Sequence, residues 1–179
     1  MKVNLYFDMD GVSAVFDEKY SPQKAGRKNY FRKRPVNEAA VDLINLLVEE
    51  GYDVHICSAL CKSKYAAEDK DAWLDDHGVE VPKENRIFIP VGENKADHAE
   101  KPSKDNPVVN VLVDDYWKNL CQWKEAGYVP IKYLNGLNDP DAWNGYSVSQ
   151  DIDAESTKEY ITKIVREEIK KAEKKKKEQ

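Results

Sequence analysis

The sequence predicts a three-layer α/β domain, a Rossmann-like arrangement with a parallel sheet of about five strands covered on both faces. Three observations carry that expectation. Short apolar runs recur along the chain with helix-patterned segments between them. The runs are continuously apolar rather than alternating, as in strands buried on both faces. Glycines sit where the helical patterns stop, at Gly51, Gly78 and Gly127.

The first strand is Val3 to Phe7, and it ends abruptly on Asp8-Met9-Asp10-Gly11. Val12 to Tyr20 is partly apolar, and Ser21 to Pro35 is basic with turn residues; together, residues 17–35 read as a small basic insertion. Asn37 is placed as the N-cap of a helix whose apolar face is Val41, Ile44, Leu47 and Val48. Val54-His55-Ile56-Cys57 is the second strand, closing on Ser58, and Lys64 to His77 is a helix with Trp73 and Leu74 inward. Arg86 to Ile89 is the third strand. A polar loop from Val91 to Pro107 follows, with a short helix near Lys95 to Glu100. Val108 to Val113 is the fourth strand, ending in Asp114-Asp115, and Tyr116 to Ala126 is helical. Val129 to Leu134 is the fifth strand. Asn135 to Ser149 reads as a turn-rich loop, and a final helix from about Ala154 turns Ile161, Ile164, Val165 and Ile169 inward. Residues 1–173 therefore make one domain, and 174–179 a charged tail.

Composition narrows the function classes. The chain has 179 residues with a net charge of -5, so there is no general case for nucleic-acid binding. Its 3 cysteines lack framework spacing, which points to reduced thiols and a cytoplasmic setting. Met1-Lys2 leads straight into the first strand, so no leader is expected, and no apolar run is long enough for a membrane span. His55, His77 and His98 show no ligand spacing, and Cys57 and Cys61 have no second pair to complete a zinc site.

The chemistry is expected at the carboxyl ends of the strands, where open parallel sheets bind ligands. The first strand ends on Asp8, the second on Ser58, the fourth on Asp114 and Asp115, and Lys95 lies in the loop after the third. Carboxylates at the end of a buried strand are costly to desolvate without a cation beside them. Acids, a hydroxyl and a lysine on one edge suit phosphoryl transfer: hard oxygens for Mg²⁺, a cation and a donor for the phosphoryl oxygens, and a carboxylate able to act as nucleophile.

Asp8-Met9-Asp10-Gly11, Ser58, Lys95 and Asp114-Asp115, in that order, resemble the four motifs of the haloacid dehalogenase (HAD) superfamily of phosphohydrolases. More narrowly, Asp8 to Val12, Asn94 to Asp97, Val113 to Leu120, Ile131 to Gly136 and Trp143 to Gly145 resemble the 5'(3')-deoxyribonucleotidase-like branch. The resemblance implies that Asp8 is the nucleophile and Asp10 the general acid and base. Mg²⁺ would be held by the Asp8 carboxylate, the Asp10 backbone carbonyl and Asp114, with Asp115 in support. Ser58 and Lys95 would complete the catalytic set and, with Ala59, Arg32 and Arg34, contact the substrate.

The expected function is a Mg²⁺-dependent phosphomonoesterase, a 5'-nucleotidase whose partner is a small nucleotide rather than a membrane. A polynucleotide end phosphatase, a sugar-phosphate phosphatase and a non-catalytic phosphate-binding module are the alternatives. The basic insertion either closes over the site or is a solvated loop.

Overall fold

The computed structural model describes residues 1–16, 21–103, 105–137 and 143–177. Residues 17–20 of the insertion, including Tyr20, and Lys104 lie outside the described residues, as does the end of the tail from 178. Six strands, β1 (Lys2–Phe7), β2 (Asp53–Leu60), β3 (Arg86–Pro90), β4 (Val108–Asp114), β5 (Val129–Leu134) and β6 (Tyr146–Ser149), form one sheet in the order β3-β2-β1-β4-β5-β6. Every pairing is parallel. The helices are α1 (Pro22–Ala25), α2 (Glu38–Glu49), α3 (Ala66–Asp76), α4 (Trp117–Glu125) and α5 (Ala154–Lys177), with 3₁₀ turns at Lys83–Asn85 and Lys95–His98.

The sheet has one strand more than expected. Tyr146–Ser149, placed by the sequence in a turn-rich loop, pairs with β5 as an edge strand. With four residues and only Val148 buried, it lacks the apolar run that marks the other strands. Asn37 does precede α2, but it makes no side-chain cap. Its amide donates to the Val12 carbonyl at 2.9 Å and to the Tyr133 hydroxyl at 2.7 Å, tying the helix start to β5 and to the turn after β1.

Side chains alternate across β1 and build two cores. Leu5 and Phe7 join Val54, Ile56, Val111 and Ile131 against Ile44 and Leu47 of α2, Trp73 and Leu74 of α3, and Ile161 and Val165 of α5. Tyr6, on the opposite face, packs with Cys57, Leu112 and Trp123 of α4. The chain passes to opposite sides of β1 when it makes β2 and β4, so the crevice of the sheet opens at the carboxyl ends of β1 and β4. No helix among the described residues is long and apolar enough to cross a membrane.

Candidate active site

β1 and β4 deliver their carboxylates to that crevice. The Asp8 amide donates to the Val113 carbonyl at 2.9 Å, extending the ladder one residue past β1 and fixing Asp8 beside Asp114. The chain then turns: Gly11 has φ +92°, and its amide donates to the Ala14 carbonyl at 2.8 Å. A Cβ at Gly11 would collide with the Asp115 carboxylate, so the turn needs glycine both for its backbone angle and for the approach of that side chain.

Lys95 is the hub. Its buried Nζ lies 2.8 Å from Asp8 Oδ1 and donates to Asp114 Oδ2 at 2.7 Å. Burial works against its charge, yet the Asp114 and Asp8 carboxylates outweigh it and hold its pKa above that of an ordinary lysine. Burial also pushes the Asp114 carboxyl up; Lys95 opposes this and Asp8 adds to it. Asp114 is further fixed by the Tyr116 amide at 2.8 Å and by Asn119 Nδ2 at 2.9 Å. Asn135 Nδ2 donates both to the Gly11 carbonyl at 2.9 Å and to Asp115 Oδ2 at 2.8 Å, so the residue that follows β5 braces the turn and the acid that follows β4 together.

Oxygens of Asp8, Asp114 and Asp115 come within 4.8 Å of one another. Closely set carboxylate oxygens are the donor set Mg²⁺ favours, and a divalent cation would offset both the burial and the Asp8 repulsion that raise the Asp114 carboxyl. The residues present therefore fit such an ion. Asp115, expected only in support, stands in the cluster with the two principal acids, whereas the Asp10 side chain does not.

Asp10 is instead engaged by a residue that was not singled out. Lys70 on α3 is fully buried, and its Nζ donates to Asp10 Oδ2 at 2.6 Å, Ser58 Oγ at 2.8 Å and the Ala59 carbonyl at 2.8 Å. The two acids of the first motif thus have different cations, Lys95 for Asp8 and Lys70 for Asp10. Ser58 and Ala59 reach the site at the end of β2, and Ala59 also lines a cavity of about 270 Å³ with Lys95, Tyr116, Lys118 and Asn119. Lys70 carried a legible mark, since it lies one turn after Ala66 and one before Trp73 and Leu74, on the buried face of α3.

The insertion residues are placed otherwise. Arg32 makes a two-point ion pair with Asp76, at 2.6 and 2.9 Å, six residues beyond Lys70 and so about 9 Å farther from the strand ends along α3. It is not brought to the acidic cluster. Arg34 donates to the Val15 carbonyl at 2.5 Å in the loop after β1. Cys57 is buried and its thiol is pushed up to about 12 by burial, which makes it inert packing beside Tyr6 and Leu112.

No family model matches the chain, and no curated protein matches it. Solved structures do share its architecture. The D,D-heptose 1,7-bisphosphate phosphatase of B. bronchiseptica, complexed with magnesium and phosphate, aligns at a TM-score of 0.59 and 14% identity, over 91% of this chain and 99% of that one. The D,D-heptose 1,7-bisphosphate phosphatase of Burkholderia thailandensis aligns at 0.56 and 15%, over 90% and 99%. A chain of a Pnkp1/Rnl/Hen1 complex aligns at 0.55 and 12%, over 83% of this chain and 46% of that one. At these identities the likeness is one of fold, and the α/β expectation holds.

Proposed function

We propose that this chain is a Mg²⁺-dependent phosphomonoesterase of the HAD type, acting through an aspartyl-phosphate on Asp8. The observation that carries the reading is the split between the two acids. Asp8 is buried in the Asp114–Asp115 cluster with Lys95, while Asp10 sits apart on Lys70. A simple anion or metal site has no use for a second acid held separately, whereas two-step phosphoryl transfer needs a nucleophile and a proton carrier.

In the first step an Asp8 carboxylate oxygen attacks phosphorus and the bond to the leaving oxygen breaks. The proton carried by the Asp10 carboxyl passes to that oxygen. In the second step a water oxygen attacks phosphorus and its proton passes to the Asp10 carboxylate. The bond between phosphorus and Asp8 breaks, releasing inorganic phosphate. Lys95 and the Ser58 hydroxyl balance and orient the phosphoryl oxygens. Mg²⁺, held by Asp8, Asp114 and the Asp10 backbone carbonyl with Asp115 in reach, would supply Lewis-acid charge stabilisation.

The substrate we favour is a nucleoside monophosphate. Tyr116 and Trp117 are 53% and 48% exposed immediately after the acids of β4, with Phe16 and Leu137 exposed on neighbouring strand-end loops. Solvent-facing aromatic rings beside a phosphate site offer stacking surfaces for a base. A sugar phosphate is the second reading, supported by the heptose bisphosphate phosphatases among the similar folds. A polynucleotide end has less support, because Arg32 of the insertion is already engaged by Asp76. Phosphate release should be followed over nucleoside monophosphates, sugar phosphates and 5'-phosphorylated oligonucleotides, with and without Mg²⁺. Mg²⁺-dependent release best from a mononucleotide supports the reading, and release from no substrate refutes it.

A further inference from the structure

We propose that Lys70 is a positioning residue for the Asp10 carboxyl, and that the insertion after β1 serves the site by burying Lys70 rather than by presenting its basic side chains to substrate. The inference rests on the phosphatase reading. A buried amine needs acceptors in place of water, and Lys70 has three, all within 2.8 Å. Two of them, Ser58 Oγ and the Ala59 carbonyl, belong to the rigid end of β2. The third is Asp10, whose own backbone lies in a tight turn and whose side chain is partly open to solvent. The ammonium therefore ties a carboxylate on a turn to a strand end, fixing the direction in which Asp10 presents its free oxygen.

The insertion closes the remaining side of this ammonium. The Phe31 ring lies under Lys70, with Nζ 4.9 Å from its centroid. Phe31 is itself buried in a small cluster with Ala25 and with Ala66 of α3. Further bonds lock the insertion to the same helix: the Asn29 amide donates to Asp69 Oδ1 at 3.1 Å and Trp73 Nε1 donates to the Arg34 carbonyl at 2.8 Å. Asn29 takes φ +61°, a conformation few residues adopt, at the point where Asp69 receives its amide. Aromatic and backbone groups of the insertion thus face the catalytic side of α3, while Arg32 is turned toward the far end of the helix.

The test is pre-steady-state hydrolysis of p-nitrophenyl phosphate with Mg²⁺. Its leaving group departs without a proton, so release of nitrophenolate reports the Asp8 step and steady-state turnover reports the step in which Asp10 receives a proton from water. Lys70→Met should keep the burst rate within about threefold and slow turnover roughly tenfold to a hundredfold, as expected for a displaced catalytic group. In an Asp10→Asn background the same substitution should change turnover less than about threefold, because the group through which Lys70 acts is gone. Equal losses in both steps, or effects that multiply in the double variant, would overturn the proposal and leave Lys70 a purely structural residue. If Lys70→Met does not fold, Phe31→Leu, which keeps the apolar packing but removes the ring face, should slow turnover roughly threefold with the burst unchanged; an unchanged turnover would overturn the insertion's role. Absence of any burst or turnover in the wild type would refute the phosphatase reading itself, and the inference with it.

Discussion

Removing the charge of Lys95 should destabilise the fold in a way that Mg²⁺ partly repairs. In Lys95→Met the Asp8 and Asp114 carboxylates keep their buried positions but lose the ammonium 2.8 and 2.7 Å away. Breaking a buried ion pair by deleting one partner costs about 3–5 kcal/mol, because a charge is left in a medium that solvates it poorly. For a chain of this size each kcal/mol moves the melting temperature by about 2–4 °C, so the loss should be roughly 6–20 °C. The assay is thermal unfolding followed by circular dichroism, in EDTA and in excess Mg²⁺. The variant should melt lower in EDTA by that amount, and Mg²⁺ should narrow the gap because a cation among Asp8, Asp114 and Asp115 takes over the work of the ammonium. An unchanged melting temperature in EDTA would refute the claim that Lys95 holds these carboxylates together.

Gly11→Ala places a side chain at φ +92° and into the Asp115 carboxylate; it should cost about 1–3 kcal/mol and weaken Mg²⁺ binding, measurable by thermal unfolding and calorimetry. Lys2 and Asn4 hold the Glu100 carboxyl down at about 2, well below its ordinary range near 4.5. A carboxyl depressed on folding contributes stability that is full above the unfolded value and fades as pH falls toward the folded one. Glu100→Gln should therefore melt below wild type at pH 7, and the difference should shrink between about pH 4.5 and 2. Replacing Tyr116 and Trp117 by alanine should raise KM for a nucleoside monophosphate roughly tenfold with little change in kcat, as loss of stacking predicts; an equal effect on p-nitrophenyl phosphate would argue against a base contact.

β1, β2, β4 and β5 were legible because they are central, largely buried strands that announce themselves as apolar runs, and β3, an edge strand with only Ile89 buried, because Ile87, Phe88 and Ile89 follow one another without a break. β6 was not, since an edge strand of Tyr146, Ser147, Val148 and Ser149 buries a single apolar side chain and owes its conformation to the ladder with β5. The strand-end acids could be read for the same reason as the strands: a polar residue closing a buried run stands out against it. The place of Asp115 beside Asp8 was not legible, because it depends on the φ +92° turn at Gly11 and on the Asn135 amide, both distant from it in sequence. Lys70 was hidden by its neighbours, Glu68, Asp69 and Asp71, which make the start of α3 look like a solvated helix. Its helical position on the face of Trp73 was the available clue, and only the acceptors at its tip, distant in sequence, explain why a lysine belongs there.

The division of labour between Asp8 and Asp10 is open to direct observation. Asp10→Asn protein incubated with Mg²⁺ and p-nitrophenyl phosphate, whose leaving group needs no proton from Asp10, then quenched in acid and digested, should yield the peptide containing Asp8 with the added mass of one phosphoryl group. Asp8→Asn protein treated alike should yield none. Phosphate on any other residue, or none on Asp8 while the wild type turns over the same substrate, would contradict the account.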